Sequence, residues 1–127
     1  MAKLFHPELS YKLVGLAFDV FNKTGFGMSE KFYQKAFAET LRKENIPFKR
    51  ECMISKDYGG SKTARWFLDF VVDDKIVLEL KVRPRFGYTD IKQVVEYLKV
   101  AGYQLAILIY FTRDGVKYRR ILKPAQN

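Results

Sequence analysis

The stretch from Trp66 to Lys81, W-F-L-D-F-V-V-D-D-K-I-V-L-E-L-K, constrains this chain more than any other. It reads as two apolar strands joined by a tight acidic turn at Asp73-Asp74-Lys75. Phe67, Leu68, Phe70, Val71, Val72, Ile76, Val77, Leu78 and Leu80 supply a sheet centre, and Asp69, Glu79 and Lys81 interrupt it. Burying ionised groups is costly unless they are paired or bind a metal. Clustered breaks in an otherwise consistent pattern are expected where function sits. Side chains alternate along a strand, so Glu79 and Lys81 leave one face while Leu78 and Leu80 leave the other. If the turn is Asp73 to Lys75, Val72 pairs with Ile76 and Asp69 falls opposite Glu79. Their Cβ atoms would then lie about 4.5–5.5 Å apart, and the carboxylates would repel each other unless a cation sat between them. A turn one residue shorter would pair Asp69 with Leu78 and separate the carboxylates.

Length and composition narrow the classes. The chain has 127 residues, 48% hydrophobic and 16% aromatic, enough for one domain over residues 1–127 with a real core. Cys52 is the one cysteine, so no internal disulfide forms and a reducing compartment fits. His6 is the one histidine, which excludes a multi-histidine zinc site and argues against a Ser-His or Cys-His pair. The formal net charge is +9, which points to an acidic partner, most often nucleic acid, with a solvated basic surface as the alternative. The longest apolar run, Leu105 to Phe111, is too short for a bilayer, and M-A-K-L-F-H-P-E-L has no signal-peptide core. The expected location is cytoplasmic, without membrane contact.

In chain order, Pro7 or Glu8 opens a first helix whose apolar face is Leu9, Leu13, Leu16, Ala17, Val20 and Phe21. Gly25 and Gly27 end it. Ser29 caps a second helix reaching about Asn45, with Phe32, Tyr33, Ala36, Phe37, Thr40 and Leu41 inward. Phe48 to Ser55 and Lys62 to Val72 are strands around D-Y-G-G-S, and Ile76 to Val82 is the third. The loop Arg83-Pro84-Arg85-Phe86-Gly87-Tyr88 is basic and aromatic. Thr89 caps a third helix, Asp90 to Ala101, with Ile91, Val94, Val95, Leu98 and Ala101 inward. Leu105 to Phe111 reads as a buried strand parallel to Ile76–Val82, and Val116 to Leu122 as the last strand. The order α-α-β-β-β-α-β-β gives an α/β sandwich.

These residues carry a family resemblance. Gly27-x-x-Glu30-x-x-Tyr33 resembles the signature of the GxxExxY proteins, a branch of the PD-(D/E)XK nuclease-like superfamily. Asp69 followed by Glu79-Leu80-Lys81 is similar to that superfamily's core, and Gln93-x-x-x-Tyr97 resembles the helix motif of its RecB-like branch. The resemblance spans roughly Tyr11 to Leu122 in matching order. It implies a restriction-endonuclease-like core, a mixed central sheet flanked by helices, and metal-dependent phosphodiester hydrolysis in DNA.

Mg²⁺, or Mn²⁺ in its place, takes oxygen ligands, commonly one or two carboxylates plus waters and substrate phosphate. Asp69 and Glu79 would supply the carboxylates, and the resemblance adds the Leu80 carbonyl. Lys81 would orient a water or stabilise developing negative charge. Its bland alternative is an ion pair with Glu79 or Asp69 at a sheet edge. The resemblance makes Glu30 a further ligand or water-positioning group, although a helix N-terminus favours a carboxylate in any protein. Gln93 and Tyr97 share a helix face that could address the site. Arg83, Arg85 and Lys92, with Arg65 and Lys62, would contact phosphate; Arg113, Lys117, Arg119, Arg120 and Lys123 form a second basic cluster. Two other readings stay open: a nucleic-acid-binding or regulatory module with negligible turnover, and a dimerising module using Phe86 and Tyr88. A homodimer or a partner would add specificity that a small domain has little room for.

Overall fold

A computed structural model describes residues 5–125; the stretch Met1–Leu4, part of the N-terminus read as lacking a signal-peptide core, lies outside the described residues. Helices α1 (Pro7–Thr24) and α2 (Glu30–Lys43) precede strands β1 (Phe48–Tyr58), β2 (Ser61–Val72) and β3 (Ile76–Val82). Helix α3 (Tyr88–Ala101) then leads to β4 (Leu105–Thr112) and β5 (Gly115–Leu122). The sheet order is β1-β2-β3-β4-β5, antiparallel throughout except for the parallel pair β3–β4. That one parallel step requires a crossover, which α3 provides. The expected mixed sheet and element order are observed.

Local chemistry sets the ends. The Ser29 side chain accepts the Phe32 N–H at 3.1 Å, as its position before α2 predicts. Thr89 does not cap α3: the helix starts at Tyr88, Gly87 holds the cap position, and no side chain caps it. Gly59 and Gly60, at φ 59° and 82°, turn β1 into β2 with Tyr58 opposite Ser61. Positive φ at both turn residues suits the right-handed twist of a hairpin, so the strands run closer to the turn than the expected Ser55 and Lys62.

The sheet separates two cores. On one face Leu78 and Leu80 pack with Leu13, Leu16, Tyr33 and Phe37 of α1 and α2. On the other, Val77 and Leu108 pack with Val94, Tyr97 and Leu98 of α3. By strand alternation Glu79 and Lys81 belong to the α3 face. Two residues expected inside lie outside: Phe67 is 60% exposed and Phe32 37%.

Phe67 is displaced by a bend. Phe70 packs on the α1–α2 side, yet Leu68 and Trp66 pack on the α3 side, a switch simple alternation forbids. The break lies opposite Asp69, at Glu51, whose φ is 52°. Arg50 pairs with Phe70 and Cys52 with Leu68, leaving Glu51 and Asp69 between them. Beyond this point Cys52, Ile54 and Trp66 pack against the α3 core. Local irregularities of this kind re-aim side chains; here Leu68 turns to the α3 core and Phe67 turns outward.

Candidate metal centre

The β2–β3 ladder pairs Val72 with Ile76, Val71 with Val77 and Phe70 with Leu78. This is the register of the three-residue turn, which Lys75 N–H closes on the Val72 carbonyl at 3.0 Å. Beyond Phe70 and Leu78, side chains take over. Asp69 N–H donates to Glu79 Oε2 at 2.8 Å, and Leu80 N–H donates to Asp69 Oδ2 at 2.9 Å. Each carboxylate thus satisfies a backbone donor of the opposing strand, which an opened ladder would otherwise leave unpaired.

Glu79 is 2% exposed. Burial, and next the Asp69 charge, push its carboxyl up to about 9, and Lys81 pulls only weakly the other way. No ion pair within 4 Å joins Lys81 to either carboxylate among the described residues. The sheet-edge ion pair is therefore not the role of Lys81, and the metal-free site holds a proton on Glu79 at neutral pH.

Tyr97, buried on α3, faces this charge. Burial and then the Glu79 and Asp69 charges push its hydroxyl up to about 12. Trp66 packs against its ring at 6.3 Å between centroids. Gln93, one turn earlier on α3, is exposed and makes no hydrogen bond to the carboxylates.

Glu30 lies apart from the pair. Arg83 Nη1 sits 3.7 Å from Glu30 Oε2, and Arg83 Nη2 sits 3.5 Å from Asp90 Oδ1. Arg83 therefore ties the first turns of α2 and α3 to the end of β3, and its charge is shared by two acids. Arg65, Arg85 and Lys92 are exposed. Of the aromatic pair expected to form an interaction surface, Tyr88 is exposed, whereas Phe86 stacks on Tyr110 at 4.1 Å. Tyr33 is wholly buried; its hydroxyl donates to the Gly25 carbonyl and its ring stacks on Phe111 at 4.2 Å. Gly27, at φ 114°, occupies a backbone region open to glycine. In the motif Gly27-x-x-Glu30-x-x-Tyr33 the glycine turns the chain, the glutamate holds Arg83 and the tyrosine anchors α1.

Sequence reasoning passed over Tyr110. It is buried on β4 opposite Lys81. Its hydroxyl accepts the Gly87 N–H at 3.2 Å, and its proton is shared between the Gly87 carbonyl at 3.0 Å and the Asp90 carboxylate. It fixes the loop that follows β3. A phenol inside an otherwise apolar strand was the available signal, because a buried hydroxyl needs a partner.

Among the described residues no three His, Cys, Asp or Glu side chains form a metal cluster. Two carboxylates, Asp69 and Glu79, with waters completing the shell, are a donor set that could hold a hard divalent cation.

With that geometry in view, comparison with known proteins is informative. The PD-(D/E)XK nuclease superfamily matches residues 7–121, and the chain belongs to it. No curated protein matches the chain. The crystal structure of SSO0001 shares 20% identity at a TM-score of 0.62, covering 76% of this chain and 52% of its own. An alkaline exonuclease, LHK-Exo from Laribacter hongkongensis, shares 14% identity at a TM-score of 0.56, covering 98% and 73%. The chain thus spans about half the length of SSO0001. At such identities the likeness is one of fold.

Proposed function

We propose that this chain is a metal-dependent nuclease domain of the GxxExxY branch that hydrolyses phosphodiester bonds in DNA, folded as one unit. The observation that carries the reading is the Asp69–Glu79 pair, Glu79 buried and Asp69 half-buried, held against backbone donors at the opened end of the β2–β3 ladder with no ion pair to Lys81 among the described residues. Asp69, Glu79 and the Leu80 carbonyl would hold Mg²⁺ or Mn²⁺. A bound ion of this kind polarises the scissile phosphate and acidifies an attacking water.

The chain's own residues do the rest. Lys81, on the Glu79 face and without an ion pair among the described residues, is available to orient the water and to stabilise charge developing on phosphate oxygens. The Tyr97 hydroxyl donates to a phosphate oxygen or to a water beside the pair. Glu30 acts through Arg83, whose hold on α2 and α3 keeps the wall of the site in place. Gln93, Lys92, Arg85 and Arg65 lie outward, where contacts to backbone phosphate position a strand without reading its sequence.

A second reading, a nucleic-acid-binding module with little turnover, draws support from Glu30 being held by Arg83 and from the lack of a third acid beside the pair among the described residues. One assay separates them. Supercoiled plasmid and short single strands are incubated with Mg²⁺, Mn²⁺ or chelator, using wild type and Glu79→Ala. Cleavage should need the metal and fall at least about 10³-fold in the mutant, the scale of losing a principal electrostatic group. Wild-type cleavage by Glu79→Ala would overturn the nuclease reading, and binding without cleavage by wild type would favour the second.

A further inference from the structure

The register carries the polar row of the site across the sheet. Lys81 lies beside Tyr110 and Tyr110 beside Lys117, while Glu79 lies beside Leu108 and Leu108 beside Arg119. Directly opposed residues in neighbouring strands share a face, so Lys117 and Arg119 stand on the face of Glu79 and Lys81. Two strand spacings, about 10 Å, separate the ends of each row. Their neighbours point elsewhere: Arg120 Nη2 reaches the Phe5 carbonyl at 2.7 Å.

The loop after β3 closes over this row. Phe86 stacks on Tyr110, and the Arg119 guanidinium lies 5.2 Å above the Phe86 ring. Between that loop and the β4–β5 hairpin runs a groove of about 460 Å³, lined by Arg85, Lys117, Arg119, Phe86, Tyr118 and Asp114 among others. Arg85, Lys117 and Arg119 are exposed and make no ion pair among the described residues, in contrast to Arg83. Three cations face the single carboxylate of Asp114. Phe86 is already engaged by Tyr110 and Arg119, so it serves to hold a guanidinium plane rather than to stack a base.

We infer that this groove is a track for backbone phosphates flanking the scissile bond, in which Arg85, Lys117 and Arg119 hold a nucleic-acid strand on the β5 side of the carboxylate pair. The inference rests on the nuclease reading for its ligand, and the track is electrostatic and independent of base sequence. It also corrects the balance between two arginines. Arg83, adjacent to the catalytic strand, is committed to Glu30 and Asp90, and the more distant Arg85 is the free one.

The test measures fluorescence anisotropy of labelled single-stranded and duplex oligonucleotides with the full chain, in chelator, over a range of salt. Lys117→Ala should flatten the log–log salt slope by about 0.7 unit on single strands or 0.9 on duplex, and the triple alanine variant at Arg85, Lys117 and Arg119 by about 2–3 units. Lys117→Arg should keep the wild-type slope. Lys35→Ala, an exposed change on α2, should leave it unaltered and serves as the control. An unchanged slope in both Lys117→Ala and the triple variant, or an equal change in Lys35→Ala, overturns the track. Lys117 is exposed with no bonded partner among the described residues, so its single variant reports even if the triple one unfolds. Cleavage in Mg²⁺, measured alongside, keeps the two proposals apart. Glu79-dependent cleavage with an unchanged slope removes the track alone; a flattened slope without cleavage removes the nuclease reading and leaves a binding groove; no binding removes both.

Discussion

The two faces of the sheet treat buried polarity in opposite ways. On the α1–α2 face, Tyr33 gives its hydroxyl to the Gly25 carbonyl and its ring to Phe111, and Phe37 packs edge-on against Phe70. The Ser10 hydroxyl, buried without a hydrogen-bond partner among the described residues, is an exception. On the α3 face Glu79 is buried just as deeply, but its nearest charge is another carboxylate. The first face gains stability from its contacts. The second holds two carboxyl groups side by side, and the arrangement persists because the apolar residues around it fix the backbone.

The contrast can be broken at three points. Phe37→Ala should cost about 3–5 kcal/mol, as for other fully buried aromatic truncations, while metal-dependent cleavage by the molecules that remain folded is unchanged. Denaturant melts paired with activity per folded molecule check this, and a loss below about 1 kcal/mol would mean that the closed face is not the source of stability. A smaller effect is expected on the open face. Mg²⁺ at about 100 times its dissociation constant should stabilise wild type by about 2.7 kcal/mol and Asp69→Asn hardly at all. Thermal melts in chelator and in Mg²⁺ measure it; a metal-indifferent wild type would remove the ion from the site.

The smallest effect concerns acidity. Glu79 is raised from an ordinary 4.5 to about 9, so the folded, metal-free protein holds a proton that the unfolded chain releases. The associated stability is fully present below about pH 4.5 and is lost as pH rises through about 9. Metal-free stability should therefore fall across that window. Glu79→Gln, which retains an acceptor for the Asp69 N–H, should flatten the decline and be more stable than wild type at pH 8 by about 0.5–2 kcal/mol. Melts at a series of pH values in chelator decide; a mutant less stable than wild type at pH 8 would show that the pair is not under strain.

Much of this is legible in the sequence. The apolar strands, the acidic turn and the placing of Asp69 opposite Glu79 follow from alternation and turn length, which are local properties. The bend at Glu51 was not legible, because a non-glycine residue at positive φ carries no sequence mark and is held by tertiary packing. Phe67 was assigned to the core for that reason. Arg83 reads as a phosphate ligand because it follows Lys81, whereas its partners are Asp90 on the next helix and Glu30 on a helix remote in sequence. Likewise the groove at β5 depends on the register of three strands, which hydrophobic pattern alone does not order.

The turn at Asp73 to Lys75 has a consequence for how this chain tolerates change in length. It is fastened on both sides: Asp73 N–H bonds the Pro47 carbonyl at 2.7 Å, and the Tyr103 hydroxyl bonds Asp74 at 3.1 Å. One residue added or removed there would rotate Glu79 and Lys81 onto the α1–α2 face and drive Leu78 and Leu80 towards α3, exchanging the chemistry of the two sides in a single step. The Gly59–Gly60 turn, at the far end of β2 and in the neighbouring β1–β2 hairpin, leads into exposed strand ends. Growth of the chain there can add a loop, a tag or a recognition element while the carboxylates keep their places. Variants of differing length are thus compatible with this site at one end of β2 and barred at the other.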